Sequence, residues 1–181
     1  MNIQRMKPVL PYVGLPVIVI ALLLVRGTGS ELVTLLELMV LSIFGYLATV
    51  NDIREKRIPN TLVLAMFGAW VVIAVPQLFY DTTAALTLLL NAIIGFVVAG
   101  MLFLMVYLLS RKGMGGGDVK FMAVAGLYLG FQLVLPAILY GAVLSALTAI
   151  LLILTKRMGR KDAIPLAPFL YAGILLTIFF I

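Results

Sequence analysis

The chain has 181 residues, of which 64% are hydrophobic and only 11% charged, with 13 basic and 7 acidic side chains and neither His nor Cys. Soluble domains contain about 45–50% apolar and about 25% charged residues, so this composition excludes an ordinary soluble enzyme, a disordered segment and a disulfide scaffold. Without His or Cys, proton transfer depends on carboxylates, Lys, Tyr or water. The sequence predicts a single all-α domain, residues 1–181, that forms a polytopic helix bundle in a lipid bilayer. We expect no metal, cofactor or nucleic acid.

Apolar runs define the predicted helices. A helix that crosses the hydrocarbon core needs about 20 apolar residues. The first run lacks a small-residue cleavage site after Val25, which favours a retained extra helix within residues 1–30 over a signal peptide. Six further segments form the core, residues 31–181; the fifth is too short to span the bilayer alone, and its boundary with the sixth falls near 130–136. The seven segments are Val9–Val25, Leu32–Val50, Thr61–Phe79, Ala84–Leu109, Val119–Leu129, Leu133–Thr155 and Ile164–Ile181.

The basic residues predict the orientation of the bundle. With a cytoplasmic N-terminus, only Arg26 of the 13 basic residues falls outside, as the positive-inside rule requires. The inner positions are Arg5, Lys7, Arg54, Lys56, Arg57, Arg111, Lys112, Lys120, Lys156, Arg157, Arg160 and Lys161. We therefore expect seven crossings of the cytoplasmic membrane, with any chemistry facing the cytoplasm.

Two acidic residues lie at predicted helix ends on that inner side. Asp52 follows the second segment, and Asp118 precedes the fifth, so the topology places both carboxylates at one depth. Two carboxylates that share a proton can activate water, because one takes a proton from it while the other donates to a carbonyl oxygen. The alternative interpretation is that both are ordinary helix-end residues in interfacial water.

The glycines before Asp118 favour a functional site. Gly115, Gly116 and Gly117 directly precede it. Because ordering Gly costs entropy, such a cluster indicates unusual dihedrals or close approach of another backbone, for example an extended substrate peptide. A flexible loop or close helix packing is the alternative.

Three further residues are predicted to shape this region. Pro59 stops the preceding helix, and Asn60 is predicted to cap the third segment, which fixes the loop after Asp52. Lys120 lies near the opposite face of the helix from Asp118, so we expect its ammonium to reach a lipid phosphate.

Glu37 and Asn91 are polar residues inside predicted spans. We predict structural hydrogen bonds between helices for them, and the alternative is a proton pathway through Glu37. The competing function is therefore a proton-coupled carrier with Glu37, Asp52 and Asp118 as relay carboxylates.

Two motifs together resemble the signature of type IV prepilin peptidases, which are intramembrane aspartic proteases of the Gly-x-Gly-Asp kind. Asp52-x-Arg54 is followed by Ile58-Pro59-Asn60, then by Gly115-x-Gly117-Asp118-x-Lys120. The segment Ile164–Leu170 resembles the C-terminal Pro-rich stretch of that family. The resemblance implies that Asp52 and Asp118 are the catalytic pair, and that the neighbouring motif residues shape the substrate site: Gly115, Gly116, Gly117, Pro59, Asn60 and Lys120. Signal peptide peptidases and presenilins share Gly-x-Gly-Asp, but the predicted partner aspartate here, Asp52, follows Asn51 and is not part of a Tyr-Asp motif.

The same resemblance implies the substrate and the reaction. The substrate would be a prepilin, pseudopilin or archaellin precursor, cut on the cytoplasmic side of its apolar helix after a short basic leader. Larger relatives carry an N-terminal domain with a cysteine tetrad and also methylate the product. Since this chain has no Cys and its first connection, Arg26–Glu31, is short, we expect the peptidase-only form of Flp/Tad-type or archaeal systems, without N-methyltransferase activity.

Overall fold

The structure is a computed structural model that describes residues 14–26, 31–110, 114–156 and 164–180. Within these ranges the fold is all-α and contains no strand. The described helices are α1 (Gly14–Arg26), α2 (Leu32–Glu55), α3 (Asn60–Tyr80), α4 (Thr82–Leu109), α5 (Gly116–Leu154) and α6 (Ala167–Phe180).

Four of these helices, α2 to α5, are long and apolar enough to cross a membrane, whereas α1 and α6 are shorter apolar helices. Large apolar side chains cover the outside of the bundle; Leu64 and Met105, for example, are 70% and 65% exposed. A surface of this kind suits lipid, and the chain is a multi-pass membrane protein. The number of crossings and the sidedness stay predictions.

Helix caps explain where the observed ends differ from the predicted ones. Helix α2 continues one turn beyond Val50 and stops at Lys56, whose φ of 51° and ψ of 38° are left-handed. Asp52 therefore lies inside the last turn of α2. Helix α4 begins at Thr82 because the Asp81 carboxylate accepts hydrogen bonds from the backbone N–H groups of Thr83 and Ala84, at 3.1 and 3.0 Å.

Several predictions fall outside the described residues. They are the first five positions of the first segment and the last position of the seventh, together with the basic residues Arg5, Lys7, Arg111, Lys112, Arg157, Arg160 and Lys161. The described residues therefore carry only part of the charge pattern from which the orientation was predicted.

Helix α5 reverses direction at Gly130, where φ is 63° and ψ is −179°. Asp118 and Ser145 line one cavity, although a straight helix would separate them by about 40 Å. The two halves of α5 must therefore fold back on each other, and the reversal falls between the predicted fifth and sixth segments. Asn91 of α4 stabilises it, because its Oδ1 accepts the backbone N–H of Phe131 at 3.1 Å. The predicted hydrogen bond between helices is confirmed for Asn91.

Helix α6 packs against α2, and the two helices run antiparallel. The Tyr171 ring lies over Gly45, where a Cβ would come within 2.5 Å of it, and it meets Tyr46 edge to face with 6.3 Å between ring centroids. Further along the same contact, the start of α6 reaches the end of α2 near Asp52. This packing positions the site described next.

Candidate active site

Asp52 and Asp118 line one cavity of about 480 Å³. The two side chains are 5% and 7% exposed. The structure thus brings together the two carboxyl groups that the sequence singled out. The other lining residues are Lys56, Arg57, Ile58, Met114, Gly115, Gly116, Gly117, Ser145, Ile164, Pro165 and Leu166.

Backbone amides at the start of α6 hold the Asp52 carboxylate. The N–H of Ala167 donates to Oδ2 of Asp52 at 2.9 Å in a buried hydrogen bond, and the amide of Leu166 also contacts this carboxylate. The first amides of a helix have no partner inside it, and they form the positive end of its dipole. A carboxylate of α2 satisfies them here. Sequence reasoning missed this contact.

Asp118 lies in the first turn of α5. Its backbone N–H donates to the carbonyl of Gly115 at 3.1 Å, and the amides of Gly115 and of Asp118 itself contact its carboxyl group. Its Oδ1, however, is buried and has no hydrogen-bond partner among the described residues. Such an atom is costly unless a proton, a water molecule or a bound group satisfies it.

Gly117 allows two parts of the site to touch. A Cβ there would lie 3.0 Å from the carbonyl oxygen and 3.1 Å from the Cβ of Ile58, in the loop after α2. The sequence allowed two explanations for the glycines, unusual dihedrals and close approach of another backbone. None of the three has a positive φ, so close approach is the explanation found. The approaching backbone is the chain's own. Gly116, in contrast, faces open space, because a Cβ at that position would have nothing within 4 Å.

The predicted capping role of Asn60 is wrong. Pro59 occupies the N-cap position of α3, with φ −65° and ψ 140°, because its ring fixes φ near the value that the entry into the helix requires. Asn60 is the first helical residue, and its Oδ1 accepts a hydrogen bond from Nζ of Lys120 at 3.0 Å. Lys120 therefore links α5 to α3, where the sequence predicted a contact with lipid phosphate.

Three lining residues with polar side chains were not predicted to belong to the site. Lys56 and Arg57 were assigned to topology, yet both line the cavity. Arg57 also forms an exposed pair with Glu55 at 3.2 Å, of a kind worth little energy. The only sequence signal for Ser145 is a hydroxyl in an apolar run. In the described part of the chain, no group of three or more Asp, Glu, His or Cys could hold a metal ion.

Glu37 lies away from the two aspartates. It lines a separate cavity of about 200 Å³ together with Trp70, Asn91 and Tyr128. Along α2 it is about 22 Å from Asp52. No hydrogen bond to its carboxyl group occurs within the described residues, so the predicted structural hydrogen bond is not found for Glu37.

A multi-pass helical bundle with two buried aspartates in one cavity has the arrangement expected of a membrane-embedded aspartic peptidase. Comparison with known proteins agrees with this class. Residues 39–150 match the type IV leader peptidase family, and the chain belongs to that family.

The chain is similar to bacterial proteins called prepilin leader peptidase/N-methyltransferase. It is 30% identical to that of Bacillus subtilis (strain 168) over 132 residues, which cover 72% of this chain and 50% of the relative. It is 30% identical to that of Xanthomonas campestris pv. campestris over 133 residues, 73% of this chain and 45% of the relative. The chain thus spans about half the length of these relatives. No solved structure gives a significant match.

Proposed function

We propose that the chain is an intramembrane aspartic endopeptidase that removes the leader peptide from prepilin-like precursors on the cytoplasmic side of the membrane. The observation that carries the proposal is the shared cavity of Asp52 and Asp118. Membership of the leader peptidase family supports a prepilin-like substrate.

Water activated by the two carboxyl groups is the proposed nucleophile. One carboxylate takes a proton from water while the other carboxyl group protonates the carbonyl oxygen of the scissile peptide. The absence of His and Cys from the sequence agrees with direct attack by water, without an acyl-enzyme.

The cavity offers a route for the substrate backbone. Because nothing lies within 4 Å of where a Cβ of Gly116 would stand, an extended peptide can approach the start of α5 there. Ile58, Met114 and Ile164 supply apolar walls. The apolar residues of a precursor helix could rest against them, with the basic leader directed towards the aqueous side.

Isosteric substitution of each aspartate tests the proposal. The full chain is co-expressed with a tagged prepilin-type precursor, and cleavage is followed for Asp52→Asn and Asp118→Asn. We expect each change to lower the cleavage rate about 10²- to 10⁴-fold, since each removes one partner of the proton transfer. Asp81→Asn is the matched control, because Asp81 is exposed and caps α4, and Asn also caps helices.

Two outcomes would contradict the proposal. Wild-type cleavage by either site variant, at equal amounts in the membrane, would exclude the aspartate pair. Failure of the wild-type chain to cut any prepilin-type precursor would exclude the activity. Mass spectrometry of the new N-terminus gives the cleavage position in the same assay and reports any methylation of the product.

A further inference from the structure

The carboxyl groups of the two aspartates contact backbone amides from different parts of the chain. Oδ2 of Asp52 accepts the N–H of Ala167 at 2.9 Å, from a helix 115 positions away in sequence, with the Leu166 amide beside it. Asp118 receives only amides of its own turn, and its Oδ1 is buried without a partner in the described structure. The backbone amides beside Asp52 favour a carboxylate, which only accepts hydrogen bonds, whereas a protonated carboxyl group would give the Asp118 side chain a donor.

The two carboxyl groups are buried in one cavity. The state in which both are anions is therefore disfavoured, and one of them holds a proton. Among the residues that the structure describes, the charged and titratable ones that line the cavity around Asp52 are Asp118, Lys56 and Arg57. The described part of the segment before α6 contributes Ile164, Pro165 and Leu166, none of which is charged.

We infer that the first turn of α6 is a positioning element that keeps Asp52 ionised as the base, while Asp118 carries the shared proton and acts as the acid. The inference rests on the proposed peptidase function and adds the role of each carboxyl group and the backbone donor that decides it. Leu166 and Ala167 act through Asp52 and touch no reacting atom.

The assignment gives a balanced reaction. Asp52 takes a proton from water while the water oxygen bonds to the peptide carbonyl carbon, and the carbonyl π pair moves to its oxygen, which takes the proton of Asp118. The product is a tetrahedral diol, with Asp52 protonated and Asp118 ionised. Next, one diol hydroxyl returns a proton to Asp118 as the C–N bond breaks, and Asp52 protonates the leaving nitrogen. Both carboxyl groups regain their starting states.

Carbon-13 NMR of the wild-type chain tests this assignment directly. The sequence contains only four aspartates, Asp52, Asp81, Asp118 and Asp162, so labelling aspartate side-chain carboxyl carbons gives four signals, each assigned by an Asp→Asn variant. At neutral pH we expect the Asp52 signal at the position of a carboxylate and the Asp118 signal at the position of a protonated acid. The reverse pattern, or two carboxylates, would overturn the inference.

Substitution of Ala167 by proline removes the backbone donor itself. Proline is tolerated in the first turn of a helix because its missing N–H has no partner inside the helix. We expect Ala167→Pro to lower kcat about 10- to 100-fold, the effect of one hydrogen bond to a charged group, with little change in KM. The acid limb of its pH–rate profile should move to higher pH, since a base with one donor fewer is protonated more readily. Ala167→Gly, which keeps the N–H, should keep the wild-type profile.

The outcomes separate this inference from the function on which it rests. An Ala167→Pro chain that folds and keeps the wild-type kcat and pH profile would overturn the positioning role, even where Asp52→Asn and Asp118→Asn abolish cleavage. The NMR measurement uses the unaltered active-site turn, so it decides the proton assignment even where the proline variant does not fold. It also decides that assignment independently of any cleavage assay.

Discussion

Gly117 offers a sharp test of how the site is assembled, because its neighbour Gly116 is a matched control. The two residues are adjacent in the first turn of α5. A Cβ at 117 would stand 3.0, 3.1 and 3.3 Å from the carbonyl oxygen, Cβ and backbone N of Ile58, while a Cβ at 116 would meet nothing within 4 Å. Ile58 is buried and belongs to the loop that follows Asp52. Gly117→Ala should therefore push this loop away from α5.

The magnitude follows from the difference between the two variants. Replacing Gly by Ala favours a helix by up to about 1 kcal/mol, and this gain is similar at both positions. Only the change at Gly117 adds a clash with backbone atoms, and overpacking of this kind costs about 1–3 kcal/mol. We expect Gly117→Ala to unfold roughly 2–12 °C below Gly116→Ala in detergent, with 1 kcal/mol corresponding to about 2–4 °C for a chain of this size.

The same clash should also change the kinetics of cleavage. Displacement of the Ile58 loop by a few tenths of an ångström alters the position of Asp52 relative to Asp118, so kcat should fall at least about 10-fold, as for other small misplacements of catalytic groups. Gly116→Ala should keep kcat, and it should raise KM if the substrate backbone passes over this residue. Equal stability and equal kcat for the two variants would refute the contact between Gly117 and Ile58.

Two further predictions concern residues away from this turn. Tyr128→Phe removes the buried hydrogen bond from Oη to the carbonyl of Met66, 2.7 Å long, and should lower the unfolding free energy by about 1 kcal/mol. Tyr80→Phe, at a side chain 93% exposed, should leave the unfolding free energy unchanged. Equal melting temperatures for the two variants would show that the hydrogen bond contributes nothing. Glu37→Gln should leave the rate of prepilin cleavage within about twofold of wild type, because Glu37 lies about 22 Å along α2 from Asp52. Loss of cleavage would contradict the functional separation of the two residues. Loss of a pH-gradient-driven flux in liposomes would support the carrier alternative.

The position of the two aspartates at helix ends could be predicted from local sequence. Asp52 and Asp118 are rare carboxylates at the ends of apolar runs, and apolar runs mark helices whatever the rest of the fold does. The glycines also carried a usable signal, because Gly117 permits the close backbone contact that such a cluster indicates. What the sequence could not supply was the identity of Ile58 as the contacting residue.

The contacts that orient the site depend on distant parts of the chain. The hydrogen bond from Ala167 to Asp52 follows from the packing of α6 against α2, and Ser145 reaches the cavity only because α5 reverses at Gly130. The contact between Ala167 and Asp52 leaves no local trace in hydropathy, whereas the reversal at Gly130 falls between two segments that the sequence predicted. The capping prediction for Asn60 failed for a different reason. Pro59 and Asn60 are adjacent, either can stand at the start of a helix, and the sequence pattern does not show which of them occupies the N-cap position.

The place of the site in the bundle has a physical cause. In an apolar medium each unsatisfied polar group costs several kcal/mol, so a carboxylate needs donors close by. The first turn of a helix is where backbone amides lack partners, and such a turn stands next to each aspartate: that of α6 beside Asp52 and that of α5 beside Asp118. A chain with few polar side chains can thus stabilise a carboxyl pair with backbone donors. It follows that removal of a backbone donor, as at Ala167, should affect this site more than changes in the polar side chains around it.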